Sequence, residues 1–385
     1  MSNWIKVKLG DIVELKRESY QPKPDEVLPY IGLEHIGQGT LRLISVGKSN
    51  EVTSTKSYFS KGDILFGKLR PYFRKVVRPK FNGVCSTDIL VLTSKNPRKF
   101  NQTFLFYLMA SQEMIDLATA SSSGTKMPRA DWKVLQNLEI SIPEDVNEQE
   151  RIGKILETID DKIDINIRMN KTLEEMAMTL YKHWFVDFGP FQDGEFVESE
   201  LGVIPNNWKI GQVKDLAKVL SGKRPKVKDI GEYPIFGGGG PMGVTNEYLY
   251  NEPIFITGRV GTIGKVFRVS KPCWPSDNSL VLIPLKAYYY SFLYAVLKNI
   301  DFSLITGGST QPLITQTSLK SIKVIIPPEE TIEQYNKQVL TYYSLIDKND
   351  NINKQLSEIR DYLLPRLLSG EIDVSKAEKQ VEEVL

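Results

Sequence analysis

Two cysteines and two histidines are all that 385 residues offer for soft metal ligation or histidine-based catalysis. Cys85 and Cys273 fall in opposite halves, so neither a disulfide framework nor a zinc site can be built from them alone. Reduced thiols in a cytoplasmic protein are the natural reading. His35 and His183 lie in separate regions, which leaves no histidine cage for a metal. No run of 18 apolar residues is present, so no membrane span is expected. The start, Met1-Ser2-Asn3-Trp4-Ile5-Lys6, has neither the basic opening nor the apolar stretch of a secretory signal. The glycine-rich run from Arg259 to Lys265 begins with arginine where a nucleotide-binding P-loop requires glycine. An Asn/Asp-Pro-Pro-aromatic tetrapeptide and a glycine-rich methyl-donor loop are also missing. No catalytic residue and no metal ligand is therefore assigned.

What is present is ordinary in amount and uneven in distribution. Hydrophobic residues at 41% and charged residues at 25% suit a soluble globular chain of two or three domains. The net charge of +2 hides four blocks. Residues 1–143 hold 21 Lys+Arg against 13 Asp+Glu, and residues 144–200 hold 6 against 15. Residues 201–328 hold 15 against 7, and residues 329–385 hold 7 against 12. One basic block arises readily by chance. Two matched ones are the electrostatic footprint of a polyanion binder.

The alternation reflects an internal repeat. Trp4, Leu9, Asp11 and Ile12 return as Trp208, Val213, Asp215 and Leu216. Residues 29–32 match 234–237, 62–66 match 252–256, 86–92 match 276–282, and 124–128 match 308–312. Each copy then reaches an isoleucine-containing strand that ends at Pro143 or Pro327. The offset shrinks from 204 to 183, so the first copy is the longer one.

After each proline the period changes from two to three and a half. Ile152, Leu156, Ile159, Ile163, Asn166, Asn170, Leu173, Ala177, Leu180 and Trp184 are spaced alternately by four and three. Adding 183 gives Tyr335, Val339, Tyr342, Ile346, Asn349, Asn353, Leu356, Arg360, Leu363 and Leu367, in the same frame with both asparagines. One such run fits a helix on a core; two in register argue that the helices pair. Each would span about 33 residues, or about 50 Å. The economical pairing is antiparallel, giving a pseudo-twofold arrangement. Asparagines on the seam fix register at a cost in stability, unless an imperfect seam leaves them solvated. Arg360 opposite Ala177 in the repeat makes those layers unequal, and Pro365 should kink or end the second helix, which puts the Leu367 layer in doubt.

The fold class expected is α+β: two homologous α/β domains separated by a long antiparallel two-helix coiled coil. The boundaries are 1–146 for the first domain, 147–186 for the first helix, 187–207 for a linker, 208–328 for the second domain, 329–370 for the second helix and 371–385 for a tail.

At the helix ends the residues become recognisable. Residues 180–190, Leu-Tyr-Lys-His-Trp-Phe-Val-Asp-Phe-Gly-Pro, with 201–208, Leu-Gly-Val-Ile-Pro-Asn-Asn-Trp, and 364–372, Leu-Pro-Arg-Leu-Leu-Ser-Gly-Glu-Ile, resemble segments of the specificity subunits of Type I restriction-modification enzymes. Gly308-Ser309-Thr310-Gln311-Pro312 and residues 259–265 are similar to recurring segments of that family. The first copy departs from the pattern, with Gly124-Thr125-Lys126-Met127-Pro128 in place of the Ser-Thr-Gln form. The resemblance covers essentially the whole chain. It implies two target-recognition domains, each reading half of an interrupted site in double-stranded DNA, and helices that dock two modification subunits. It also implies that S-adenosylmethionine, ATP and magnesium are bound by partner modification and restriction subunits and not by this chain.

The densest basic-aromatic stretch runs from Lys68 to Lys80. Lys68, Arg70, Tyr72, Arg74 and Lys75 are its candidates for DNA contact, because lysine and arginine neutralise phosphates and arginine reads guanine edges. The bland reading is a solvated strand face. Lys126 and Arg129 follow the small polar loop of the first copy. In the second copy Arg259, Lys265 and Arg268 are the counterparts, joined by Lys223 and Arg224 in a basic loop that equally serves solubility. Thr310 and Gln311 add polar groups, with glutamine able to read adenine. Gly237 to Gly240 read as a loop tip, and Tyr288 to Tyr290 as packing. The carboxylates Asp160 and Asp161 read as a solvated or interface-forming helix face. Two alternatives stay open: a non-catalytic adaptor with two ligand-binding domains on a coiled-coil spacer, and an enzyme whose active site is not legible.

Overall fold

The computed structural model describes residues 3–122, 124, 126–226, 228–307 and 313–383. The chain divides into two compact units, Met1–Asn166 with Asp350–Leu385 and Ile167–Asn349.

The same plan builds both. In unit 1 a four-stranded antiparallel sheet runs Val13–Leu15, Ile89–Ser94, Ile64–Gly67 and Val76–Val77. In unit 2 its counterpart runs Ala217–Ser221, Ser279–Pro284, Ile254–Gly258 and Val266–Val269. The central strands Ile64–Gly67 and Ile254–Gly258 are buried along their whole length. Because successive side chains face opposite sides of a strand, Ile64 and Phe66 enter the large core while Leu65 enters a second, smaller one. In unit 2 Phe255 and its neighbours Ile254 and Ile256 divide in the same way. The smaller core is closed by a second sheet with one parallel pairing, Pro29–Ile31 beside Gly83–Cys85 in unit 1 and Tyr233–Gly237 beside Trp274–Pro275 in unit 2. Cys85 and Cys273 sit in these smaller cores, where burial pushes both thiols up to about 12. Among the described residues no helix is long and apolar enough to cross a membrane.

Two helices of 40 residues, Val146–Phe185 and Glu329–Leu368, each begin in one unit and end in the other. In unit 1 Ile152, Leu156, Ile159 and Ile163 share a core with Leu356, Leu363 and Leu367. In unit 2 Ala177 packs with Tyr335 and Val339, flanked by the half-buried Leu180, Trp184, Tyr342 and Ile346. Leu173 is half-buried. The seam asparagines pair with each other. Asn166 donates to Asn353 at 2.9 Å in unit 1, and Asn349 donates to Asn170 at 2.8 Å in unit 2. Both pairings are antiparallel, and each amide supplies what its partner lacks.

This arrangement makes a prediction about register. Asn166→Leu alone strands the Asn353 amide, which costs about 1–3 kcal/mol and lowers Tm in a thermal melt. Asn166→Leu with Asn353→Leu restores stability to the wild-type level or above, since an apolar layer replaces a polar one. Equal losses in the single and double variants would show that the pair does not act as one.

One sequence expectation needs correction, and two segments hold structure that the sequence did not show. Pro365 does not end the second helix, which continues to Leu368, and Leu367 is only 1% exposed. Proline costs a helix interior about 3 kcal/mol; burying Leu363, Leu364 and Leu367 in the large core offsets it at about 1.5–3 kcal/mol each. The linker 187–207 contains a hairpin, Phe196–Ser199 against Gly202–Pro205. Within the tail 371–385, Val374–Glu382 is a helix capped by Asp373, which buries Val374, Ala377 and Val381. Its Glu378 receives a two-pronged bond from Arg151 at 3.0 and 2.7 Å.

Candidate nucleic-acid interface

Both central strands end in the same hydrogen-bonded crossing. Lys68 follows the strand of unit 1; its amide donates to the Asp88 carbonyl at 2.9 Å, and its carbonyl accepts from Ala130 at 2.9 Å. Arg259 follows the strand of unit 2; its amide donates to the Asn278 carbonyl at 2.9 Å, and its carbonyl accepts from Ile314 at 2.9 Å. The next residues bridge antiparallel, Leu69 to Arg129 and Val260 to Leu313. Lys68 and Arg259 therefore hold corresponding places, and so do Arg129 and Leu313.

Around Lys68 a compact basic face forms. The Arg70 amide donates to the Pro128 carbonyl at 2.8 Å, so the two loops that carry the candidate cations lie side by side. Arg70 holds a left-handed backbone with φ of 51°, a conformation that costs a non-glycine residue on the order of 1 kcal/mol. Lys68 and Arg70 are half-buried, Lys126 is exposed, and none of the three has an ion-pair partner among the described residues. Tyr72 is exposed and stands edge-on to Phe73. Arg129 is exposed, and its Nε donates to Asp88 Oδ1 at 3.3 Å. In unit 2 Lys223, Arg224 and Lys265 are exposed, and Arg259 is half-buried. The loop of Lys223 and Arg224 is tied down because Trp274 Nε1 donates to the Lys223 carbonyl at 2.7 Å. Thr310 and Gln311 lie outside the described residues.

Three candidate cations turn inward instead. Arg74 donates from Nε to the Ala110 carbonyl at 2.7 Å and reaches Asp361 at 3.4 Å; burial lowers its guanidinium from the ordinary value, and Asp361 opposes that. Lys75 donates to the Leu33 carbonyl at 2.6 Å, and burial lowers it as well. Arg268 grips Asp347 through two bonds of 3.0 and 2.7 Å and lies 4.8 Å from the centre of the Tyr343 ring. Burial works against its charge, and the Asp347 bonds outweigh it and raise the guanidinium. Arg74 and Arg268 hold each domain to its own stretch of long helix, whereas Lys75 ties together two loops of the first domain.

Residues that the sequence reading passed over do the same. Arg42 pairs with Asp160 and Asp164 at 2.7 Å each, Arg78 pairs with Glu157, and Lys80 pairs with Asp161 at 2.7 Å. Asp160 also accepts from Arg360 at 2.8 Å and from the Tyr107 hydroxyl at 2.8 Å. It is a hub and not a solvated carboxylate. The seam arginine, Arg360, is 2% exposed; burial opposes its charge, yet Asp160 and Asp361 raise it. A signal existed in the repeat, since Arg78 and Arg268 lie at matching positions and each faces an acidic helix. The basic balance of each domain thus overstates the charge free to meet a polyanion. Among the described residues no group of three or more His, Cys, Asp or Glu is placed to hold a metal.

A family model described as the Type I restriction modification DNA specificity domain matches residues 1–175 and 205–360. The Type I restriction enzyme HindI specificity subunit of Haemophilus influenzae is 26% identical, over 97% of this chain and 100% of its own. The Type I restriction enzyme MjaIX specificity subunit of Methanocaldococcus jannaschii is 29% identical, over 74% and 76% respectively. The crystal structure of a Type I restriction-modification S subunit from M. genitalium superposes with a TM-score of 0.57 at 18% identity, over 95% of this chain and 96% of that one. That likeness establishes the fold.

Proposed function

This chain belongs to the Type I restriction-modification DNA specificity family, and from that premise we propose that its two basic faces each read one half of an interrupted DNA target. The observation that carries the reading is the matched pair of strand-end cations, Lys68 and Arg259, held by the same backbone crossing in both units. A cation fixed at the end of a fully buried strand is positioned by the core, so its side chain meets a duplex at small cost in order. The exposed neighbours Lys126, Lys223, Arg224 and Lys265 supply phosphate contacts. Methyl transfer and cleavage fall to modification and restriction subunits, and S-adenosylmethionine, ATP and magnesium belong to those partners in this reading. The long helices, each of which begins in one unit and ends in the other, offer the modification subunits a docking surface.

The test uses the complex of this chain with its modification subunits and duplex DNA. Lys68→Ala and Arg259→Ala each lower the slope of log affinity against log salt by about one, and the double variant lowers it by about two. Arg268→Ala leaves the slope unchanged, because that charge is spent on Asp347. Failure of the wild-type complex to prefer any bipartite duplex, or an unaltered slope in the double variant, overturns the reading.

A further inference from the structure

We propose that Arg129 is a guanine-reading residue of the first domain, oriented by Asp88, and that the second domain has no equivalent reader. The inference rests on the DNA-binding reading above and adds a specific role to it. Arg129 bridges Leu69 within the sheet-end crossing, so its backbone is fixed while its side chain stays exposed. Of the Arg129 side-chain nitrogens it is Nε that donates to the Asp88 carboxylate, at 3.3 Å. The two terminal nitrogens are left with no partner among the described residues, and they form the fork that matches O6 and N7 of guanine. An ion pair this exposed contributes little to stability; its effect is to limit the rotamers of a side chain that otherwise loses much entropy on binding.

The surroundings divide the labour. Lys68, Arg70 and Lys126 flank Arg129 without intramolecular acids and suit phosphates, whereas Arg129 alone carries a carboxylate brace. A brace of that sign repels phosphate, so it is misplaced beside a residue that merely tracks the backbone. In the second unit the same two places hold Asn278 and Leu313. Leucine offers no hydrogen bond, and the apolar group suits a thymine methyl or no base at all. The two half-sites should therefore differ in guanine content at the corresponding position.

The experiment selects bound duplexes from a randomised pool with the intact complex of this chain and its modification subunits. Arg129→Ala relaxes one guanine of the first half-site by about tenfold or more, leaving the second half-site and the other positions intact. Lys126→Ala weakens all sequences alike. Asp88→Ala relaxes the same guanine as Arg129→Ala yet raises affinity for random DNA, since a negative charge leaves the face; Asp88→Asn, which keeps the acceptor oxygen, falls between. A merely structural Asp88 would lower both affinities together. If the wild type selects a bipartite site and Arg129→Ala selects the identical one, this proposal is sunk and the DNA-reading function stands. If the wild type selects nothing, the functional reading itself has failed.

Discussion

Asp160→Ala is expected to destabilise unit 1 by about 3–5 kcal/mol, because it strands buried positive charge. Arg360 is 2% exposed at its side chain and Arg42 15%, and both direct a nitrogen at Asp160 Oδ1, at 2.8 and 2.7 Å. The Tyr107 hydroxyl loses its acceptor in the same stroke. Arg42 retains Asp164, while Arg360 keeps one carboxylate among the described residues, Asp361 at 3.3 Å, and a long bond to the Thr40 carbonyl at 3.5 Å, so compensation is incomplete. For a unit of this size the loss lowers Tm on the order of 10 °C, measurable by calorimetry. Asp160→Asn keeps an acceptor without the charge and falls in between. Asp161→Ala is the control: its exposed pairing with Lys80 contributes under about 1 kcal/mol. Similar melting of the two alanine variants would show that the hub has no special weight.

The second large effect concerns Gly258→Ala, expected to erase recognition of the second half-site while sparing the first. A Cβ there would lie 1.9 Å from the Thr262 carbonyl oxygen and 3.1 Å from the Gly238 Cα, so backbone must move and not a pliant side chain. The loop displaced is the one that carries Arg259 and Lys265. Losing the contacts of several base pairs, at about 1–3 kcal/mol each, reduces preference for the target at least about a hundredfold. The matching glycine of unit 1, Gly67, is milder: its nearest atoms would be the flexible Leu33 side chain at 2.9 Å and the Lys75 carbonyl at 3.1 Å. Binding selections on both variants check this, and a second half-site retained by Gly258→Ala would refute the role given to the loop. The approach of Gly238 to the backbone at 258 and 262 also explains part of the glycine run read as a loop tip.

The helices were legible because a period of three and a half is a local property, repeated in one frame over two stretches of chain. The asparagine layers were legible for the same reason, since only a paired seam gives a polar residue a matched partner. The inward turn of Arg74, in a loop, and of Arg268, in a strand, was not legible, because a basic letter looks the same whether it faces water or an acidic helix. That distinction depends on which residues lie beneath Asp347 or Asp361, which no local pattern encodes. Arg360 stood out as an oddity in the repeat, but its partner Asp160 lies 200 positions away. Pro365 misled because the cost of proline is local while the burial that offsets it is not. Arg129 entered the sequence reading only as one cation among many; its carboxylate brace appears once Asp88 is brought across from another loop.

The two units differ in when they can form. Unit 2 is one unbroken stretch, whereas unit 1 needs both chain ends, with the Trp4 ring set against Gly370 and the final helix laid beside Arg151. On the ribosome unit 2 can close before unit 1, because Leu356, Leu363 and Leu367 reach last the core they share with Ile152, Leu156 and Ile159. A message cut short before residue 350 therefore yields a chain able to complete its second reading head and not its first.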